Sequence, residues 1–240
     1  MGVDRMNLRG IIVKIIIALV GSVIITCNIH SWQEIKVIAM SKTIHLPAPV
    51  TKGKVSLEEA IKERRSRRSF KDNALNLNQV SQILWAAQGI TEERGYKRAA
   101  PSAGALYPLE IYLVVAKVET LVAGVYHYNS VNHSLDLILS GNYQVALAKA
   151  CLGQMFIADA PISIVVTAQY ERTTSKYGER GLRYVHIEVG HVGQNICLET
   201  VSLGLATVTT GAFWDEEVSK ILHLPERHKP LYVLPVGYPE

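Results

Sequence analysis

Apolar residues recur along this chain with two different periods, and the predicted element changes wherever the period does. Between residues 183 and 203, Val185, Val189, Val192, Ile196 and Val201 return at helical spacing and Gly204 follows them, which predicts the longest helix of the chain. Leu57, Ala60 and Ile61 mark a short helix that starts at Ser56, whose distance to Glu59 is that of a capping box. Val80, Ile83, Leu84 and Ala87 give a second helix over 78–88, with Gly89 as its stop, and 144–152 and 215–222 read as two more. Residues 91–108 read as a loop. Alternating or β-branched runs predict strands at 110–116, 124–128 and 134–139, with a hairpin turn at 129–132. The mostly apolar run over 162–167 is of the kind buried on both faces of a sheet, and 205–211 and 231–236 are two further strands, the last in spite of Pro235. Helices and strands interleave without a strict βαβ rhythm, which favours an α+β layer architecture over a doubly wound sheet.

Composition changes this picture at the N-terminus. Apolar residues make up 48% of the chain and charged residues 19%, which excludes a disordered chain and a disulfide-dense miniprotein. Arg5 and Arg9 precede an apolar run from Ile11 to Ile25 that is broken by Lys14, Gly21 and Ser22, the arrangement of a signal peptide or of a membrane anchor. Ile24-Ile25-Thr26-Cys27 resembles a lipobox, so a lipoprotein processed at Cys27, an uncleaved anchor and a secreted protein all stay open. With positive charge before the apolar run, the expected place of the body is membrane-associated on the extracytoplasmic side. The division that follows is 1–40 as signal or anchor, 41–54 with Pro47, Pro49 and Gly53 as an extended linker, and 55–240 as one catalytic domain.

The formal charge of +4 is concentrated where Lys62, Arg64, Arg65, Arg67, Arg68 and Lys71 face only Glu63. Guanidinium forks alternating with the hydroxyls of Ser66 and Ser69 suit a phosphate, although a solvated basic helix end, an anionic lipid or a nucleic acid would use the same residues. Pro101-Ser102-Ala103-Gly104-Ala105-Leu106-Tyr107-Pro108 can bring backbone N–H groups and the Ser102 hydroxyl to a flat polar edge, as can any tight loop. In the segment from Gly204 to Phe213, Gly211-Ala212 leaves backbone unshielded. It is not a dinucleotide fingerprint. Cys27, Cys151 and Cys197 have no paired spacing, which argues against a metal or redox pair.

In this order, the three segments carry a resemblance. Arg64-Arg65-Ser66-Arg67-Arg68, Pro101-Ser102-Ala103-Gly104 and Gly204-Leu205-Ala206 through Gly211-Ala212-Phe213, with Gly190-His191-Val192-Gly193-Gln194-Asn195 and the closing Pro235-Val236-Gly237-Tyr238-Pro239, are similar to motifs of the nitroreductase superfamily, SagB-type dehydrogenases above all. The resemblance implies a three-layer α+β fold with a central mixed or antiparallel sheet flanked by helices, and FMN at a homodimer interface. It puts Arg64, Arg65, Ser66 and Arg68 on the phosphate and pyrimidine side of FMN, and Pro101, Ser102, Ala103 and Gly104 on the flavin of the partner subunit. Thr209, Thr210, Gly211 and Ala212 would run along the ring, with Gln154 as a further contact. Ala206 stands where the family has a glycine, and the chain ends without the basic residues that many relatives place on the phosphate.

The activity implied is hydride transfer through the flavin from NAD(P)H to a flat small molecule such as a nitroaromatic, quinone or enone, with no nucleic acid as partner. Lys176-Tyr177 resembles the pair that SagB-type azoline dehydrogenases use in proton removal, which gives peptide-derived azolines as an alternative substrate; a surface lysine beside a packed tyrosine is the plain alternative. A membrane-tethered flavin- or anion-binding module without turnover is the reading from another class.

Overall fold

A computed structural model of the chain describes residues 43–240. The first half contains β1 (Thr43–His45), α1 (Leu57–Glu63), α2 (Leu77–Gln88), β2 (Leu109–Val115), β3 (Gly124–Asn129), β4 (Ser134–Ser140), α3 (Gln144–Ala150) and α4 (Phe156–Asp159). The second contains β5 (Ile162–Ala168), α5 (Glu171–Tyr177), α6 (Arg180–Ser202), β6 (Ala206–Thr207), α7 (Asp215–Ile221) and β7 (Lys229–Gly237). The strands form one sheet in the order β1-β4-β3-β2-β5-β7-β6, and every neighbouring pair is antiparallel.

All seven residues of β5 are buried because the sheet is covered on both faces. Ile162, Ile164 and Val166 point into a core shared with Val80, Ile83 and Leu84 of α2 and with Val185, Val192 and Ile196 of α6. Val165 points the other way, towards Leu147 and Ala148 of α3 and Val218 of α7. The result is three layers, helices on either side of an antiparallel sheet. Each of these larger aliphatic side chains contributes about 1.5–3 kcal/mol by leaving water. Cys151 and Cys197 are free and buried in these layers, and burial pushes the Cys151 thiol up to about 12.

Local rules place the helix starts. Ser56 Oγ accepts from the Glu59 N–H at 3.1 Å, and Asn76 and Gln79 form a reciprocal capping box that starts α2 one residue before the expected position. Three expectations change. The 205–211 strand is reduced to Ala206–Thr207, because the chain leaves the sheet at Val208 and touches it again only where Thr210 bridges Val233. Residues 171–177, in which only Thr173 is buried, form a helix that no apolar period announced.

The 41–54 segment, expected as a linker, supplies β1 instead, paired with Ser134–Asp136 of β4. Beyond β1 it is fastened twice. Gln82 of α2 accepts from the Val50 N–H at 2.8 Å and donates to the Val50 carbonyl at 3.0 Å. Ser81 Oγ donates to the Pro47 carbonyl at 2.6 Å and stands 2.7 Å from His133 Nε2, whose Nδ1 lies 2.9 Å from the Tyr128 hydroxyl. A neutral His133 with its proton on Nε2 satisfies this set: Nε2–H points at Ser81 Oγ and the Pro47 carbonyl, and Nδ1 accepts from Tyr128. No helix among the described residues is long and apolar enough to cross a membrane. The signal or anchor expectation for 1–40, with the Cys27 lipobox, lies outside the described residues.

Candidate functional site

The arginine turn begins where α1 stops. Arg64 caps the helix through its backbone N–H to the Ala60 carbonyl and departs from helical geometry. Arg65 folds back, its Nη1 donating to the carbonyls of Lys62 at 2.7 Å and Arg64 at 2.8 Å, so this guanidinium satisfies carbonyls that the helix end leaves open. Ser66 bridges Thr207, and the Arg67 N–H donates to the Thr207 carbonyl at 3.1 Å, which joins the turn to β6. The Arg68 guanidinium stands 5.9 Å from the ring centroid of Phe156. Arg65 and Arg67 border a hollow of about 170 Å³ with Gly204 and Thr207, whereas Arg68 borders another of about 430 Å³ with Lys71 and Lys117. Arg65 and Arg67 therefore border a different hollow from Arg68.

Four and three residues before Phe156, the chain turns through left-handed Leu152 and Gly153. Gln154 then reaches the third segment: its Nε2 donates to the Ala212 carbonyl at 3.1 Å and to the Cys151 carbonyl at 2.9 Å. Thr210 is buried and exchanges both backbone hydrogen bonds with Val233, at 2.8 and 2.9 Å. Thr209 is half-buried, while Gly211 and Ala212 are exposed. A β-carbon on Gly211 would meet nothing nearer than the Tyr232 ring at 3.8 Å.

The 101–108 loop has three left-handed residues, Gly104 at φ +63, Ala105 at +54 and Tyr107 at +45. Ser102 Oγ accepts from the Tyr107 N–H at 2.9 Å and borders a hollow with Glu188 of α6. Glu188 is 2% exposed; burial pushes its carboxyl up, against the opposing hydrogen bonds of Ser102 and Gln88 and the charge of Arg98. The loop also meets the end of α5. A β-carbon on Gly104 would lie 2.7 Å from the Tyr177 hydroxyl and 3.1 Å from Lys176 Nζ. Tyr177 packs edge-on against Tyr184 at 5.1 Å, and Lys176 Nζ is 5.4 Å from the Tyr177 ring centre.

One cluster had no forecast. Glu110 Oε1 is 2.5 Å from Arg172 Nη2, and its Oε2 is 2.8 Å from His127 Nε2. Burial pushes the Glu110 carboxyl up, but the His127 hydrogen bond and the Arg172 guanidinium outweigh it and hold the group below the usual carboxylate range. Beside it the Tyr112 hydroxyl lies 2.8 Å from His228 Nδ1. A lone acid inside the apolar run of β2 was the available signal. A hollow of about 670 Å³ between the 50–57 segment, Trp85, Asn195 and Glu199 contains none of the expected site residues.

Comparison with known proteins adds to this geometry. The model of the nitroreductase family matches residues 61–238. The chain is 48% identical over 198 residues to a nitroreductase-family protein of Methanocaldococcus jannaschii, covering 82% of this chain and 98% of that one. It is 28% identical over 160 residues to the microcin B17-processing protein McbC of Escherichia coli, covering 65% of this chain and 59% of that protein. Among solved structures, a nitroreductase-type protein of Ralstonia eutropha superposes with a TM-score of 0.73 at 27% identity, over 82% of this chain and 90% of that one.

Proposed function

This chain belongs to the nitroreductase family, and from that premise we propose that it is an FMN-dependent oxidoreductase taking electrons from NAD(P)H. The observation that supports it most is the continuity of three expected contacts. Arg68 lies over Phe156, Phe156 follows Gln154 by two residues, and Gln154 is bonded to Ala212, so cation, amide and open backbone occupy one stretch of surface. Gly211 supports the same reading, because its own chain leaves room for a β-carbon and a glycine there suits close approach from outside. Arg64, Ser66 and Arg68 would hold the phosphate, with Arg65 divided between that role and its helix end. Thr209, Thr210, Gly211, Ala212 and Gln154 would border the ring. When bound, FMN supplies the hydride chemistry; the protein binds it, orients it and keeps one ring face open to a flat acceptor such as a nitroaromatic, quinone or enone.

Homodimerisation is part of the proposal, with Pro101, Ser102, Ala103 and Gly104 of one subunit covering the flavin of the other. Exposed Leu182 and Ile187 on α6, the helix against which this loop packs, support such a face. A second substrate class, peptide-derived azolines, is favoured by the contact of Lys176 and Tyr177 with Gly104, which sets a proton-handling pair beside the loop. Attachment to a membrane through the N-terminal segment is kept as a proposal; fractionation of the full chain and of Cys27→Ser tests it.

The deciding experiment is anaerobic titration of the purified protein with NADH and with NADPH while the flavin absorbance is followed. Bleaching supports an oxidoreductase. A yellow protein that neither donor bleaches is a flavin-binding module, and a colourless protein that takes up no FMN ends the reading.

A further inference from the structure

The 101–108 loop is bent against its own preferences, and left-handed Ala105 and Tyr107 persist only where their surroundings over-determine them. Tyr107 is held at four points: its N–H by Ser102 Oγ, its carbonyl by Arg172 Nη1 at 2.9 Å, its hydroxyl by the Tyr96 carbonyl at 2.9 Å, and its ring by the Arg98 guanidinium at 4.5 Å. Three of these grips come from residues within or just before the loop. The fourth comes from α5.

Arg172 and Lys176 are four residues apart on α5 and so share one face of it. Arg172 meets the loop at Tyr107, and Lys176 with Tyr177 meets it at Gly104, so helix and loop lie side by side in opposite directions. Apolar burial does little to fix α5, in which Thr173 alone is buried. Besides its packing on the start of α6, where Tyr177 meets Tyr184, α5 is fastened to the sheet by the second Arg172 nitrogen, paired with Glu110 of β2, whose remaining oxygen is engaged by His127 of β3. One planar fork thus connects sheet, helix and strained loop, with Glu110 holding the fork in its plane.

We infer that Arg172, oriented by Glu110, is a positioning residue that clamps the 101–108 loop against Lys176 and Tyr177 and makes that loop a rigid wall of the flavin site. The inference rests on the flavin reading for the word wall; the clamp itself is independent of it.

The test uses the full chain as wild type, Arg172→Met, Arg172→Lys and Glu110→Gln, with two readouts: amide hydrogen exchange by segment, and the rate at which bound FMN is released on dilution. In Arg172→Met, exchange rises in 102–107 and 171–177 but not in β5 or α6, and FMN release accelerates about tenfold, the scale of one charge-assisted hydrogen bond. Arg172→Lys recovers part of both effects, and Glu110→Gln falls between wild type and Arg172→Met. A loop whose exchange is unchanged overturns the clamp, as does exchange that rises throughout the sheet. Faster loop exchange with unchanged FMN release overturns the wall while leaving the flavin reading intact, and a wild type that binds no FMN overturns both. If Arg172→Met does not fold, Glu110→Gln with both readouts at wild-type values is enough to reject the inference.

Discussion

Gly104 and Tyr177 approach so closely that a β-carbon on the first would stand 2.7 Å from the hydroxyl oxygen of the second. The same glycine holds φ +63, which costs other residues about 1–2 kcal/mol. Gly104→Ala should therefore lower stability by roughly that amount and also push Tyr177 and Lys176 away from the loop. Thermal melting reads the first effect, and solvent access to Tyr177, followed by ultraviolet difference spectra, reads the second. A variant with wild-type melting and an unmoved Tyr177 would contradict the contact.

The arginines of the turn should separate by role. Arg64→Ala and Arg68→Ala are each expected to weaken FMN binding by about 1.5–3 kcal/mol, roughly ten- to a hundredfold. Arg65→Ala should act first on the end of α1, where its guanidinium meets two carbonyls. Calorimetric titration with FMN, set beside melting curves, distinguishes them; stoichiometric FMN retained by the Arg64→Ala, Arg68→Ala double variant would remove the phosphate assignment.

His133 ties the 43–50 stretch to the sheet as a neutral ring, and burial pulls its pKa below the ordinary 6.5 against the opposing Pro47 hydrogen bond. A group depressed in this way contributes stability that is complete above its unfolded value and is lost as pH falls from there through the folded value. The 43–50 segment should therefore be cut faster by protease at about pH 5 than at about pH 7, and His133→Asn should flatten the difference. Equal cutting rates in the wild type would reject the latch.

Glu188 has the opposite sign. Burial raises its carboxyl, so its contribution to stability is fullest below the ordinary 4.5 and declines as pH climbs through the raised folded value. Glu188→Gln should remove that decline and melt no lower than wild type near neutrality. Melting curves taken between about pH 4 and about pH 7 should converge at the acid end; parallel curves would count against a raised Glu188.

Much of the fold is legible in the chain because burial writes itself as period. β5 is mostly apolar because both its faces are covered, and α6 repeats Val185, Val192 and Ile196 because one stripe meets the sheet. Where burial is slight the signal fades: α5 hides one threonine, and β1 is three residues near two prolines. The candidate site is written in the sequence as motifs and not as geometry. Nothing in the linear order says that Arg65 turns back on its own helix, that Gln154 reaches Ala212, or that Gly104 abuts Tyr177. The Glu110, His127 and Arg172 set is drawn from two neighbouring strands and a helix some way beyond them, and its one trace is a charge inside an apolar strand.

The three residues of β1 also decide what the sheet shows to its neighbours. At the opposite margin β6 is shorter still, so among the described residues neither end strand presents a long row of free backbone groups. A chain cut back to residue 51 would lose Ile44 and Leu46 from the core that α2 and α6 cover and would uncover Ser134 to Asp136, leaving the whole outer side of β4 without a partner strand. Such a fragment would be folded and adhesive at once, inclined to stack seam to seam with its own copies, and the stretch that reads as dispensable spacer would turn out to be what keeps the molecules apart.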